Sequence, residues 1–242
     1  MVLKLSEMPS GGDGPTPPDA TDFVFIRHGE TQWNREHRFQ GQSNPPLNDT
    51  GLWQAGQLAA RLAAAAPGRL LSSDLRRAVQ TAEPLGRHWS VAIEVVPGLR
   101  EQHFGDLEGW TVQQVQQDRP DLWVRWLTQD ADFALPGGAE SQRQFSSRVL
   151  AAVAELAQRH AGTRLTVVTH GGVLDMLWRA AHGLPVSGLR QCEIPNTGLN
   201  HLQWRAGRLS VQRWADAAHL GDQPSLVPGA KSPDTQASGV ET

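Results

Sequence analysis

Two short apolar runs in this chain end in the same way, with a polar residue followed by His-Gly. The first run, residues 23–26, leads into Arg27 and His28, and the second, residues 165–169, leads into His170. Runs of this length that are rich in β-branched and aromatic residues predict buried strands. Because ligands bind beyond the carboxyl ends of strands in an open α/β sheet, these histidines and the arginines near them indicate a site for phosphoryl chemistry.

The apolar spacing along the rest of the chain predicts strands that alternate with helices. Further strands are predicted at residues 69–72 and 91–96, and a hairpin at residues 199–204 and 209–214. Helices are predicted from Asn48 to about residue 65 and at residues 74–88, 139–160 and 172–182. Such an alternation favours an α/β fold in which helices cover both faces of a largely parallel sheet.

Composition divides the chain into one domain with two tails. At 242 residues the chain is long enough for a single core, which we place at residues 22–220. Residues 1–21 and 221–242 are rich in Gly, Pro and Ser, which predicts disordered tails. The Trp-rich residues 102–138 are less regular, and we expect them to form short helices that cap the active end of the sheet.

Composition also excludes several kinds of partner and chemistry. The formal charge is −3 without a basic stripe, and no apolar run could span a bilayer, so we expect neither a nucleic-acid nor a membrane partner and a cytoplasmic location. Cys192 is the single cysteine and the nine histidines show no HExxH pattern, so no metal or other cofactor is expected. Without a tyrosine or a core lysine, a tyrosine nucleophile and a P-loop are excluded.

Five short motifs follow one another along the chain. They are Arg-His-Gly-Glu-Thr at residues 27–31, Arg-Phe-Gln-Gly at 38–41, Ser-Ser-Asp-Leu-Arg-Arg-Ala at 72–78, Leu-Arg-Glu at 99–101 and Thr-His-Gly-Gly at 169–172. In this order they resemble the signature of the histidine phosphatase (phosphoglycerate mutase-like) superfamily, most of all its broad-specificity and α-ribazole phosphatase branch. The resemblance covers residues 22 to 214. It implies a three-layer α/β/α sandwich and a metal-independent phosphatase that forms a phosphohistidine.

His28 is the candidate nucleophile. A neutral imidazole is available near pH 7 because the reference pKa of histidine is about 6.5, and its second nitrogen can donate to a backbone carbonyl. Arg27 and Arg77 are expected to hold the phosphoryl oxygens, because a guanidinium offers paired donors in a planar fork. Arg76 and Arg77 are adjacent on a helix and point about 100° apart, so only one need face the site. The Leu-x-Arg-Ala pattern of the family selects Arg77.

The resemblance also assigns the second histidine and the proton donor. His170 would donate a hydrogen bond to the developing charge. Glu101 would protonate the leaving oxygen and then activate water as a base. Glu108 and Asp106 are rivals for this role in the local sequence, and the family pattern, with the acid two residues after the leucine, selects Glu101.

Four further residues are expected to contact phosphate or substrate. The amide of Gly171 lies at the start of a predicted helix, a favourable position for an anion. Asn34, Gln40 and Asn196 match substrate-contacting positions of the family, although Asn34 and Gln40 could equally form turns in their loop.

Three functions are compatible with these residues. The first is hydrolysis of small-molecule phosphate monoesters. The second is phosphoglycerate mutase-type transfer, but mutases carry a longer insertion than the 69 positions that separate Glu101 from His170. The third is a binding protein of the same fold, which loss of a catalytic residue would mark, and none is lost. We therefore predict a phosphatase, and the sequence leaves a homodimer open.

Overall fold

The computed structural model describes residues 17, 19–65, 68–127 and 130–221. The strands in these ranges are β1 (Ala20–Arg27), β2 (Arg69–Ser72), β3 (Ile93–Val95), β4 (Arg164–Thr169), β5 (Leu199–Arg205) and β6 (Arg208–Asp216). They form a single sheet in the order β3-β2-β4-β1-β5-β6. Strands β3, β2, β4 and β1 run parallel to one another. Strand β5 pairs antiparallel with β1, and β6 pairs antiparallel with β5 to form a hairpin. The predicted, largely parallel sheet is confirmed.

Helices cover both faces of the sheet. In the described ranges they are α1 (Gln32–Arg35), α2 (Asp49–Leu62), α3 (Arg76–Trp89), α4 (Val112–Asp118), α5 (Pro120–Leu127), α6 (Gln142–Arg159) and α7 (Gly171–His182). None of them is long and apolar enough to cross a membrane.

The alternation of side chains along β1 explains the layers. Phe23 and Phe25 pack with apolar residues of α6 and α7, whereas Val24 and Ile26 pack with those of α2 and α3. Successive side chains of a strand point to opposite faces, so a continuous apolar run is what a strand between two helical layers requires. The three-layer α/β/α sandwich that the sequence predicted is therefore the observed fold.

Two predicted boundaries are corrected by the structure. β1 begins at Ala20, inside the range assigned to the N-terminal tail, because Ala20 and Thr21 are buried and pair with β5. α6 begins at Gln142 rather than residue 139, because the Ser141 hydroxyl accepts from the amide of Gln144 and caps the helix there. Residues 1–16 and 222–242 of the two predicted tails lie outside the described residues.

The Trp-rich stretch forms an apolar cluster of its own. It packs around Phe39, whose ring meets Phe104 and Trp126 edge to face, with ring centroids 5.3 and 5.6 Å away. The buried members of the cluster are Phe39, Leu107, Val112, Val115 and Leu135. The tryptophans here pack against this cluster, and two short helices, α4 and α5, stand where the sequence predicted a cap.

Close packing at the start of α2 leads to a prediction about two glycines of this helix. A Cβ on Gly51 would lie 2.1 Å from the carbonyl oxygen of Glu30, whereas a Cβ on the exposed Gly56 would meet nothing within 4 Å. We expect Gly51→Ala to lower the free energy of unfolding by about 1–3 kcal/mol through overpacking. Gly56→Ala should raise it by about 0.5–1 kcal/mol, because alanine favours a helix interior. Urea unfolding of both variants checks this, and equal effects would contradict it.

Candidate active site

The pairing of β1 with β4 brings the two predicted histidines together. Arg27 is in register with Thr169, so His28 and His170 both follow the ends of neighbouring parallel strands. The amide of His28 donates to the carbonyl of Thr169 at 2.8 Å, and the two imidazole rings lie with centroids 5.2 Å apart. Parallel strands end at one edge of a sheet, and this edge is where the structure places the site.

His28 is held in one tautomer. Its Nδ1 lies 2.7 Å from the carbonyl oxygen of Gly29, and a carbonyl can only accept, so Nδ1 carries the hydrogen. The Nε2 atom then keeps its lone pair. Burial, followed by the Arg77 and Arg27 guanidinium groups, lowers the pKa of His28 well below the usual value of 6.5. The ring is therefore neutral and nucleophilic at physiological pH.

His170 is fully buried beside His28. It does not line the cavity described below, although the sequence predicted a phosphate contact. Its Nε2 lies 2.9 Å from the hydroxyl of Ser73, which in turn accepts from the amide of Leu75 at 3.3 Å. Ser73 can thus donate to Nε2 and place the hydrogen of His170 on Nδ1, a buried atom without a hydrogen-bond partner among the described residues. Burial and the charge of Arg77 lower the pKa of His170 well below 6.5.

These two histidines should make stability fall in acid. A histidine whose pKa is lowered by folding binds more protons in the unfolded chain, so the free energy of unfolding decreases as the pH drops below 6.5. Between pH 7.5 and 5.5 each should contribute a loss on the order of 1 kcal/mol. Urea unfolding at both values should show a smaller loss in His170→Asn than in the wild type. His88→Asn, at an exposed position, is the control, and an unchanged loss in His170→Asn would contradict the prediction.

Two arginines line the same cavity as His28 and donate to backbone carbonyls. Arg27 Nη1 donates to the carbonyl of Ile194 at 2.6 Å. Arg77 donates from Nη1 to Ser43 and from Nη2 to Gly41, at 2.8 and 2.7 Å. Burial lowers the pKa of Arg77 to about 10, which leaves it charged at neutral pH. Its Nε has no hydrogen-bond partner in the described part of the chain. The neighbouring Arg76 is exposed and lies outside the cavity.

The loop before β5 holds the backbone of the Arg27-His28 pair. Thr197 donates its amide to the carbonyl of Arg27 at 2.9 Å, and Asn196 Nδ2 donates to the carbonyl of His28 at 2.8 Å. Asn196 does not line the cavity, so the structure does not place it as the substrate contact that the sequence predicted. Its side chain instead holds the backbone of His28.

Glu101 faces the cavity over the start of α7. Its Oε2 accepts from the amide of Gly172 and its Oε1 from the amide of Gln102, both at 2.9 Å. A Cβ on Gly172 would lie 2.2 Å from Glu101 Oε1, so this close approach requires glycine. This contact explains sterically why the second residue after His170 is a glycine.

The two rivals of Glu101 have other surroundings. Glu108 accepts from the amides of Gln42 and Ser43, at 2.8 and 2.6 Å, and so holds the loop whose carbonyls bind Arg77. Asp106 is exposed, and neither carboxylate lines the cavity. Of the three candidates, Glu101 is the one in place to exchange a proton with a bound ester.

The remaining predicted residues line the same cavity. Gly171 borders it at the first residue of α7. Asn34 borders it too, but its Oδ1 accepts from the amide of Thr31 at 3.0 Å, so it also has the turn-forming role left open by the sequence. Gln40 Oε1 accepts from the hydroxyl of Thr31 at 2.9 Å, which leaves its NH₂ end as the group that can donate to an ester.

Two further segments complete the cavity wall. The cavity has a volume of about 150 Å³. The predicted cap contributes Gln102, Phe104, Val112 and Trp126, and the segment after α7 contributes Gly188, Leu189 and Arg190. The sequence indicated the cap but not the second segment, whose position depends on a loop path that no local pattern reveals. In the part of the chain that the structure describes, no three His, Cys, Asp or Glu residues are grouped to share a metal ion.

Comparison with known proteins agrees with this site. The model of the histidine phosphatase superfamily (branch 1) matches residues 23–217. Phosphoglycerate mutase-like protein 4 and a metal-independent phosphoserine phosphatase, both from Arabidopsis thaliana, are 34% identical over 215 and 213 residues, or 87% of this chain and 92% and 88% of theirs. The structure of a mycobacterial glucosyl-3-phosphoglycerate phosphatase is 31% identical, with a TM-score of 0.69, and the match covers 81% of this chain and 99% of that one.

The chain therefore belongs to the histidine phosphatase superfamily, as the five motifs predicted. It is an enzyme of the phosphatase class.

Proposed function

We propose that this enzyme hydrolyses small phosphate monoesters in two steps, with phosphorylated His28 as the covalent intermediate. The observation that carries the proposal is the state of His28. It is neutral, its Nδ1 donates to a carbonyl, and it lines the same cavity as Arg27 and Arg77, whose charges act on it. A free lone pair beside paired cations is what attack on a phosphoryl group requires.

In the first step His28 Nε2 attacks phosphorus and the bond from phosphorus to the leaving oxygen breaks. Glu101 gives its proton to that oxygen, so the alcohol leaves neutral. Arg27 and Arg77 hold the phosphoryl oxygens, and Arg77 Nε gains an acceptor there. His170 Nδ1 is proposed to donate to the same group, because a buried donor without an acceptor costs about 1–3 kcal/mol.

In the second step water attacks phosphorus and the bond to Nε2 breaks. Glu101, now a carboxylate, takes a proton from the water, and inorganic phosphate leaves while His28 returns to its neutral form. Asn34, Gln40 and the amide of Gly171 are proposed to contact the phosphoryl group or the ester from the cavity wall.

Hydrolysis rather than transfer is the proposed outcome. Relatives carry both kinds of name, phosphoserine phosphatase and phosphoglycerate mutase-like protein. The short span between Glu101 and His170 supports hydrolysis, because a smaller cap leaves water access to the phosphoenzyme. A cavity of about 150 Å³, the size of one that holds benzene, suits a small ester. The proposal also includes the cytoplasmic location expected from the sequence. It includes as well the expectation that the enzyme binds no nucleic acid, membrane or metal.

The test is phosphate release from p-nitrophenyl phosphate, phosphoserine and 3-phosphoglycerate in EDTA. We expect catalytic turnover of at least one ester, unchanged when Mg²⁺ replaces EDTA, and slower formation of 2-phosphoglycerate than of phosphate. Turnover that requires a metal would contradict the mechanism. Faster interconversion of phosphoglycerates than hydrolysis would show a mutase, and no release from any ester would favour a binding protein.

A further inference from the structure

The cavity has a second basic region beside the phosphoryl site. Here the segment between α7 and β5 crosses the first turns of α7, so that Arg190 and Asp175 face the cavity together. Arg190 is largely buried, with 17% of its side chain exposed, and its Nε lies 3.9 Å from Asp175 Oδ1. Neither residue has a role in the two chemical steps described above.

This segment is held in place by a buried arginine. Arg179, which is 3% exposed, donates to Asp175 Oδ2 at 2.9 Å. Its other nitrogens donate to carbonyls of the segment at 2.5 to 3.0 Å, those of Pro185, Ser187, Gly188 and Leu189. One arginine thus fixes both the path of the segment and the carboxylate that faces Arg190, and Arg190 is placed before any substrate arrives.

Arg190 lies close to the proposed phosphoryl-binding residues. The point that a Cβ on Gly171 would occupy is 3.6 Å from Arg27 Nε and 3.9 Å from Arg190 Nη1. The two guanidinium groups therefore border the first residue of α7 together. An anion bound by Arg190 would lie within a few bonds of a phosphoryl group bound by Arg27.

We propose that Arg190 binds a carboxylate on the leaving group, so that the preferred substrates are phosphate esters of small hydroxy acids. The proposal rests on the phosphatase function above. A planar guanidinium matches a carboxylate with two parallel hydrogen bonds, and such charged bonds are stronger than neutral ones. Because Arg190 borders the cavity beside Arg27, a carboxylate on the leaving group would reach Arg190 while Arg27 holds the phosphoryl group. Arg190 would then determine specificity without taking part in bond breaking.

The experiment compares esters that differ in the carboxylate. Phosphoserine is paired with phosphoethanolamine, and 3-phosphoglycerate with glycerol 3-phosphate. In the wild type we expect a kcat/KM at least about 10-fold higher for the acid of each pair. Arg190→Gln should lower kcat/KM for the acids by about 10- to 100-fold and leave p-nitrophenyl phosphate and the two carboxylate-free esters within about 3-fold. Arg76→Gln, at an exposed arginine, is the matched control and should change none of them.

The other outcomes would contradict either the role proposed for Arg190 or the phosphatase function. Equal loss for all esters in Arg190→Gln would show that Arg190 binds the phosphoryl group, and no loss would show that it does not bind the ester. Should Arg190→Gln fail to fold by circular dichroism, Arg190→Lys decides, because it keeps the charge and loses the fork. It should still discriminate less between paired esters than the wild type, and undiminished discrimination would overturn the proposal. Absence of turnover of every one of these esters in the wild type would overturn the phosphatase function itself.

Discussion

His28→Asn should lower kcat for p-nitrophenyl phosphate by at least about 10⁴-fold, because the covalent step loses its nucleophile. Asparagine is close in size and polar, so the packing at the end of β1 changes little. The wild type, quenched in denaturant during turnover, should carry an alkali-stable, acid-labile phosphoryl group that mass spectrometry locates on His28. The variant should carry none. The measurement therefore follows both the rate and the intermediate.

The control for this variant is a histidine away from the site. His88 lies on the exposed side of α3, and His88→Asn should keep kcat within about 2-fold. Turnover that survived in His28→Asn, or a phosphoryl group on another residue, would show that the neutral imidazole in the cavity with Arg27 and Arg77 is not the nucleophile. The assignment of the whole site would then fail.

Glu101→Gln should lower kcat by about 10²- to 10⁴-fold, the range typical of a lost general acid and base. The effect should fall on different steps for different esters. Nitrophenolate leaves without a proton, so phosphorylation by p-nitrophenyl phosphate stays fast and only attack by water is slowed. We expect a burst of about one nitrophenol per enzyme and accumulated phosphoenzyme. An alkyl ester needs the proton in the first step, so it should give no burst.

Asp106→Asn is the control, because Asp106 is the exposed rival of Glu101 in the same stretch. It should change kcat by less than about 2-fold. Absence of a burst in Glu101→Gln, together with equal loss for both esters, would show that Glu101 acts through the positions of Gly172 and Gln102 rather than through its proton.

These two experiments also separate what is shared by all substrates from what selects among them. His28, Arg77 and Glu101 are proposed to act on the phosphoryl group and the oxygen that leaves, which every monoester has. Arg190 is proposed to act on the rest of the ester. A loss that is uniform across esters therefore belongs to the first set, and a loss confined to acids belongs to Arg190.

Much of the fold followed from local patterns. The run of apolar residues at 23–26 predicted a strand buried on both faces, and the structure places helices on both sides of it. Periodicity located the helices, but their ends depended on particular hydrogen bonds, as Ser141 shows at α6. The start of β1 at Ala20 was missed because pairing with β5, far away in the chain, orders residues whose own sequence reads as a tail.

The site was predicted unevenly for the same reason. Arg27, His28, Arg77 and Glu101 follow from short motifs, and the structure gathers all four around one cavity. Asn196 was expected at the substrate and instead donates to the carbonyl of His28. Whether Asn196 reaches the cavity or the backbone of His28 depends on the path of its loop at the sheet edge, which a short motif does not encode.

The sequence by itself determined the elements and the chemistry of this protein. Apolar periodicity and the two His-Gly strand ends are local properties of the chain, so they could be recognised before any contact was known. Tertiary structure alone decided which groups act on one another. It set the tautomer of His28, the lowered pKa values of both histidines, and the approach of Arg190 to Gly171, because burial and contacts between distant segments exist only once the chain has folded.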